Sequence, residues 1–217
     1  MANQKISDLT ALTRADLADD DVLAIVDTSS TETKKITAPS LRDRVLLSST
    51  TLDSGSAVTS VDYDNTLITT DYSHYEIELK DIKAATVDNT NLALRLGGSN
   101  AADTSSVYSY WFQDVGRSFS DTSQWYWQSG WGTSLIYLST TNSRTGTDSG
   151  DSWNGVIVVK GNRVSVREVN ISASSGYFTT LDSFAGIWGM TTPVNFIRVY
   201  GTPNNDIYGT FKLYGVR

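Results

Sequence analysis

The sequence predicts an all-β protein, a jelly-roll-like antiparallel β-sandwich preceded by a small hairpin and short-helix module. Three observations carry this. Beyond residue 57, apolar and polar residues alternate with a period of two, which turns every second side chain to one face of a strand. Helix formers are few, whereas Thr, Val and Tyr are plentiful. Polar turn clusters separate the alternating runs at short intervals, as in a sandwich with eight to ten strands.

The elements follow in chain order. Val22 to Val26 is a short apolar run suited to a buried strand, Asp27 to Glu32 is a turn, and Thr33 to Thr37 returns as its partner. Ala15 to Asp21 adds a turn of helix. Pro39 to Leu46 is expected to be one short helix, with Pro near its start. Composition changes near residue 48: residues 1–47 hold eight acidic and six basic residues but no Trp, Tyr, Phe or Gly. Residues 48–56, rich in Ser and Thr, are expected to be a linker between a 1–47 module and a 57–217 head. A unit below about 50 residues with few large apolar side chains is marginal alone and needs a partner surface.

In the head, Tyr75, Ile77 and Leu79 share one strand face and His74, Glu76, Glu78 and Lys80 the other. Leu92, Leu94 and Leu96 repeat the pattern with Arg95 opposite. Val107 to Asp114 is a third strand, aromatic on both faces, and Ser134 to Ser139 a fourth. Val156 to Lys160 and Arg163 to Val169 flank Gly161-Asn162, a strong two-residue hairpin signal because Gly tolerates positive φ. Phe196 to Tyr200 and Ile207 to Leu213 flank a longer hairpin loop over 201–206.

Composition narrows the function. A chain of 217 residues buries roughly 70% of its unfolded surface. The net charge of −7, without a Lys/Arg cluster, argues against nucleic acid as a partner. Without cysteine there is no disulfide frame, thiolate metal site or cysteine nucleophile. No apolar run approaches the ~18 residues of a membrane span, so no membrane insertion is expected. The first residues lack the apolar core of a secretory signal; if the protein ends up outside a cell, the expected route is a different one, such as lysis.

Lys5-Ile6-Ser7-Asp8-Leu9, then Ala18 to Asp27, then Thr33-Lys34-Lys35-Ile36-Thr37 resembles the N-terminal module of tailed-bacteriophage fibre and structural proteins. Tyr75 to Leu79, Asn91 to Leu96, Tyr108-Ser109-Tyr110-Trp111 and the ending Gly209 to Gly215 are similar to β-sandwich domains of phage fibres. The resemblance covers most of the chain through loose patterns and implies a family without naming a ligand. It implies a non-enzymatic virion protein, made in the host cytoplasm. Residues 1–47 would dock on portal, tail or capsid proteins. The head would assemble as a homotrimer for attachment to the host surface. No shaft repeat is present, which points to a short fibre, a head spike or an adaptor-bound tip. The alternative is a capsid or tail decoration and assembly protein without receptor binding. No cofactor is implied.

Trp125, Tyr126, Trp127 and Trp131 form the most informative local cluster. Exposed rings would offer flat faces to sugar C–H groups, with Asn, Asp and Gln nearby for the hydroxyls. The same rings would equally fill a sandwich core or a trimer interface. Tyr110 and Trp111 divide the same way, with the core favoured. Glu76 and Glu78 stand about 7 Å apart on one strand face, a spacing glycosidases can use, but an alternating charged row reads as a solvated face. His74, the one histidine, would have to serve any Ser–His–Asp triad, and it sits in that same polar row. The acidic stretches Asp62-Tyr63-Asp64-Asn65 and Asp148-Ser149-Gly150-Asp151 carry oxygen ligands suited to calcium, without EF-hand spacing, and read as ordinary Asx turns. No residue is assigned as a metal ligand or as a catalytic group.

Overall fold

The computed structural model describes residues 22–27, 32–37, 43–86, 90–118, 123–138, 152–161, 163–172, 177–203 and 205–217. Contacts divide the chain into two compact units, Met1–Val45 and Leu46–Arg217. The first contains β1 (Val22–Asp27) and β2 (Glu32–Thr37), paired antiparallel with Val22 opposite Thr37 and Asp27 opposite Glu32. This is the expected hairpin. The helical turn expected over 15–21 lies outside the described residues.

The short helix expected over 39–46 is corrected at its C-terminal end. Arg44, Val45 and Leu46 are extended and open β3 (Arg44–Leu52). The same strand takes in residues 48–52 of the expected linker. The reason is tertiary. The Ser/Thr run lies beside the last strand of the chain, where Thr51 and Thr210 hydroxyls meet at 3.2 Å, and ladder pairing overrides weak local preference. The turn proper comes at Asp53, whose carboxylate accepts from the Gly55 and Ser56 amides at 3.0 and 2.9 Å.

The second unit continues with β4 (Ser60–Tyr63), β5 (His74–Ala84), β6 (Asn91–Gly97), β7 (Tyr108–Ser118), β8 (Ser123–Thr133), β9 (Ile136–Tyr137), β10 (Ser152–Lys160), β11 (Arg163–Ser172), β12 (Tyr177–Trp188), β13 (Phe196–Thr202) and β14 (Ile207–Val216). No helix occurs among the described residues. An eight-stranded sheet runs β3-β14-β5-β10-β11-β12-β7-β8, and a four-stranded sheet runs β4-β13-β6-β9. The sheets are antiparallel and not closed into a barrel.

The core is the space between these sheets. Alternation assigns it as expected: Tyr75, Ile77 and Leu79 of β5 and Leu92, Leu94 and Leu96 of β6 are all buried, with Trp153, Trp188 and Phe211 the large fillers. Gly161 makes the β10–β11 turn at φ +58°, with Lys160 opposite Arg163. Two strand readings need correction. The strand expected over 134–139 shrinks to the two residues of β9. Residues 201–206 do not join a hairpin, because β13 lies in the narrow sheet and β14 in the wide one. Both strands send alternate residues into the same core, so their sequence pattern is the same whether they pair side by side or face each other.

Candidate functional site

Register in the wide sheet builds a row that no single segment displays. Lys160 stands opposite Arg163, Arg163 opposite Ile187, Ile187 opposite Ser109, and Ser109 opposite Trp131. Five strands thus contribute one position each, over about 19 Å at the usual strand spacing. The residues flanking these positions, Val159, Val164, Trp188, Tyr108 and Gly130, are buried toward the core, so the row belongs to the outer face. Trp131 is 84% exposed and Ile187 47%, and Lys160 and Arg163 are exposed.

A second row runs two residues further along. Val158 faces Ser165, and Trp111, 39% exposed, stands between Ala185 and Ser129. The two rows meet in a shallow groove of about 410 Å³ over β10, β11 and β12, lined by Val158, Lys160, Arg163, Ser165, Ala185 and Ile187. Apolar surface gathered on one sheet face and rimmed by hydroxyls and charge is the pattern of an interaction site. No family model, curated protein or solved structure matches this chain.

The expected aromatic cluster divides. Trp131 belongs to the outer row. Trp125, Tyr126 and Trp127 lie within β8 opposite Val115, Asp114 and Gln113, and their side chains are outside the described set. Tyr110 is 6% exposed and faces the core, with its ring edge against Tyr137, while Trp111, the next residue, faces out. Core placement holds for Tyr110 and fails for Trp111, because adjacent strand residues cannot share a face.

The polar row of β5 is less solvated than its charge suggests. Glu76 is only 9% exposed, since its strand has β14 and β10 on either side, with Tyr214 and Val158 opposite it. Ser73, His74 and Glu76 do come together: Ser73 Oγ lies 2.9 Å from His74 Nδ1, and His74 Nε2 lies 3.9 Å from Glu76. The Ser73 hydroxyl donates to the Val216 carbonyl at 2.9 Å. Its single proton is committed there, so the hydroxyl accepts from His74 and the imidazole is not placed to act as its base.

Asp62 and Asp64 diverge. Asp62 makes a bidentate pair with Arg198, at 2.8 Å to Nε, while Asp64 accepts from the Thr66 amide and hydroxyl in a turn. These hydrogen bonds hold the Asp64 carboxyl below the usual range. Asp148 to Asp151 lie outside the described residues. Sequence reasoning used Lys160 to Arg163 only as a turn signal and did not single out Ile187. Lys160 and Arg163 stand out locally as charges beside the turn, whereas Ile187, an apolar residue, carries no local signal that sets it apart from the core positions of its strand.

Proposed function

We propose that this chain is a structural fibre or spike protein of a tailed phage. It is anchored to the particle through residues 1–47 and presents a trimeric β-sandwich for attachment to a host surface glycan. The observation that carries the reading is the outer face just described, where Trp131 stands 84% exposed in register with Ile187. A tryptophan held this far out on a sheet gains nothing for the core, and exposed aromatics on a rigid face suit recognition. Division into a small unit and a large one fits an anchor and a head.

The head is read as a jelly roll carrying an inserted hairpin. Supporting this is the chain's path: it alternates between sheets from β4 to β7, makes the β7–β8 hairpin, then alternates again through β9, β10 and β13. The narrow-sheet order β4-β13-β6-β9 against β5-β10 and β7-β8 is that of two Greek keys. Hairpin β11–β12 sits between β10 and β7, and β14 and β3 extend the edge. Three heads on one axis would multiply weak sites into avidity.

The test is sedimentation of the full chain together with antibody labelling of purified particles. A mass three times 23.7 kDa and labelling at a discrete virion position are expected. A monomer at micromolar concentration, together with incorporation of a chain lacking residues 1–47, would refute the reading.

A further inference from the structure

We propose that the outer row of the wide sheet binds an acidic polysaccharide, with its anionic groups at Lys160 and Arg163 and its sugar faces over Ile187 and Trp131. The inference deepens the attachment reading and rests on it for biological context only.

Charge identifies the occupant. The chain carries a net charge of −7, yet Lys160 and Arg163 stand side by side across the β10–β11 turn, both exposed. Among the described residues, no carboxylate lies within ion-pair reach of either. Two like charges directly opposite one another on a strand pair are mutually unfavourable, and an anion bridging them relieves that repulsion. Arg163 offers a planar fork that fits a carboxylate bidentately, and Lys160 a point charge beside it. The cations open directly onto the 410 Å³ groove.

Shape identifies the rest. Beyond Arg163 the row becomes apolar at Ile187, hydroxylic at Ser109 and aromatic at Trp131. Small neighbours, Ala185 on β12 and Gly132 beside Trp131, keep the lane shallow. A row about 19 Å long, cationic at one end and flat at the other, matches an extended polymer better than a compact ligand. Sugar rings supply alternating C–H faces and hydroxyls, and uronate-type carboxylates supply the charge. A neutral glycan would leave the two cations unused, and an apolar peptide would leave them desolvated and unpaired.

The test measures the full chain against polygalacturonate and hyaluronate, with neutral dextran as the control, by affinity electrophoresis and titration calorimetry. Binding to at least one polyuronate is expected, weakening steeply as salt rises, with none to dextran. Lys160→Gln with Arg163→Gln is expected to lower affinity by about tenfold or more, and Trp131→Ala by about tenfold, 1.4 kcal/mol in each case. All of these side chains are exposed, so the far-ultraviolet circular dichroism and melting midpoint are expected to stay unchanged. Equal binding of dextran, undiminished binding by the charge-removed variant, or no binding to either polyuronate would each overturn the proposal. So would concentration-dependent self-association that Trp131→Ala abolishes, since the occupant would then be a second copy. If polyuronate binding stands while particles fail to label, the virion reading fails and this one survives.

Discussion

Tyr108 and Tyr63 offer a paired test, because the same deletion of one oxygen should have opposite consequences. Tyr108 is fully buried, and its hydroxyl accepts from the Leu96 amide at 3.0 Å and lies 2.7 and 2.9 Å from the Leu96 and Asp103 carbonyls. It occupies the place of a missing strand, because β9 pairs with β6 only at Ala93 and Leu94. Tyr108→Phe leaves the Leu96 N–H buried without an acceptor and creates no cavity of consequence. The cost of such an orphaned donor is about 1–3 kcal/mol. For a chain of this length, about 2 kcal/mol lowers the melting midpoint by about 4–8 °C. Tyr63 is 1% exposed, but its hydroxyl has no partner among the described residues. Tyr63→Phe therefore removes an unsatisfied group and should be neutral or stabilising. Urea unfolding followed by tryptophan fluorescence reads this directly, since all six Trp lie beyond residue 48 and report on the sandwich. Equal destabilisation by both variants at unchanged m-value would refute the reasoning, as it would require a hydrogen-bond partner at Tyr63.

Three further outcomes are expected. Asp103 accepts from Ser105 and from the buried Trp188 indole at 3.0 Å, and the Ser105 hydroxyl and amide hold its carboxyl below the usual range. Asp103→Ala should cost about 1–3 kcal/mol by orphaning the indole N–H. The depressed carboxyl contributes stability that is present above about pH 4 and lost as pH falls through its folded value, so Asp103→Asn should flatten part of the acid limb of a stability–pH curve. Gly209 sits in a bulge at φ +134°, and a Cβ there would lie 2.6 Å from the Asp81 carbonyl oxygen, whereas Gly161 at φ +58° faces open space. Gly161→Ala should cost about 1–2 kcal/mol from backbone strain alone and Gly209→Ala clearly more, measured in the same unfolding assay. Trp131→Ala should leave stability within about 0.5 kcal/mol of the parent. A larger loss in thermal melts would mean that the ring packs against something the isolated chain retains.

Alternation made much of the head legible. Tyr75 to Leu79 and Leu92 to Leu96 reach the core because period-two burial is a local property, and Gly161 marks its turn because one backbone conformation favours it. What stayed hidden was set by partners distant in sequence. Ser48 to Leu52 carry every local mark of a linker, and only the neighbouring β14 makes them a strand. Phe196 to Tyr200 and Ile207 to Leu213 look like hairpin arms, and only their placement across the core separates them. Trp111 reads as core beside Tyr110 until the strand fixes which of the two faces inward.

The candidate site shows the same division more sharply. Alternation along each strand of the wide sheet says which residues share a face, but not which outward residues become neighbours. Lys160, Ile187 and Trp131 stand on strands that β11 and β7 separate across the sheet, and four independent pairings align them. A one-residue slip in any of these pairings would send that strand's outer residues into the core and its core residues to solvent. The buried positions Val159, Val164, Trp188 and Tyr108 therefore secure the outer row as firmly as they secure the core. The aromatic cluster on β8 drew attention because its members are adjacent in sequence. The row through Trp131 draws its coherence from the fold, and core substitutions that disturb register should impair the surface before they unfold the domain.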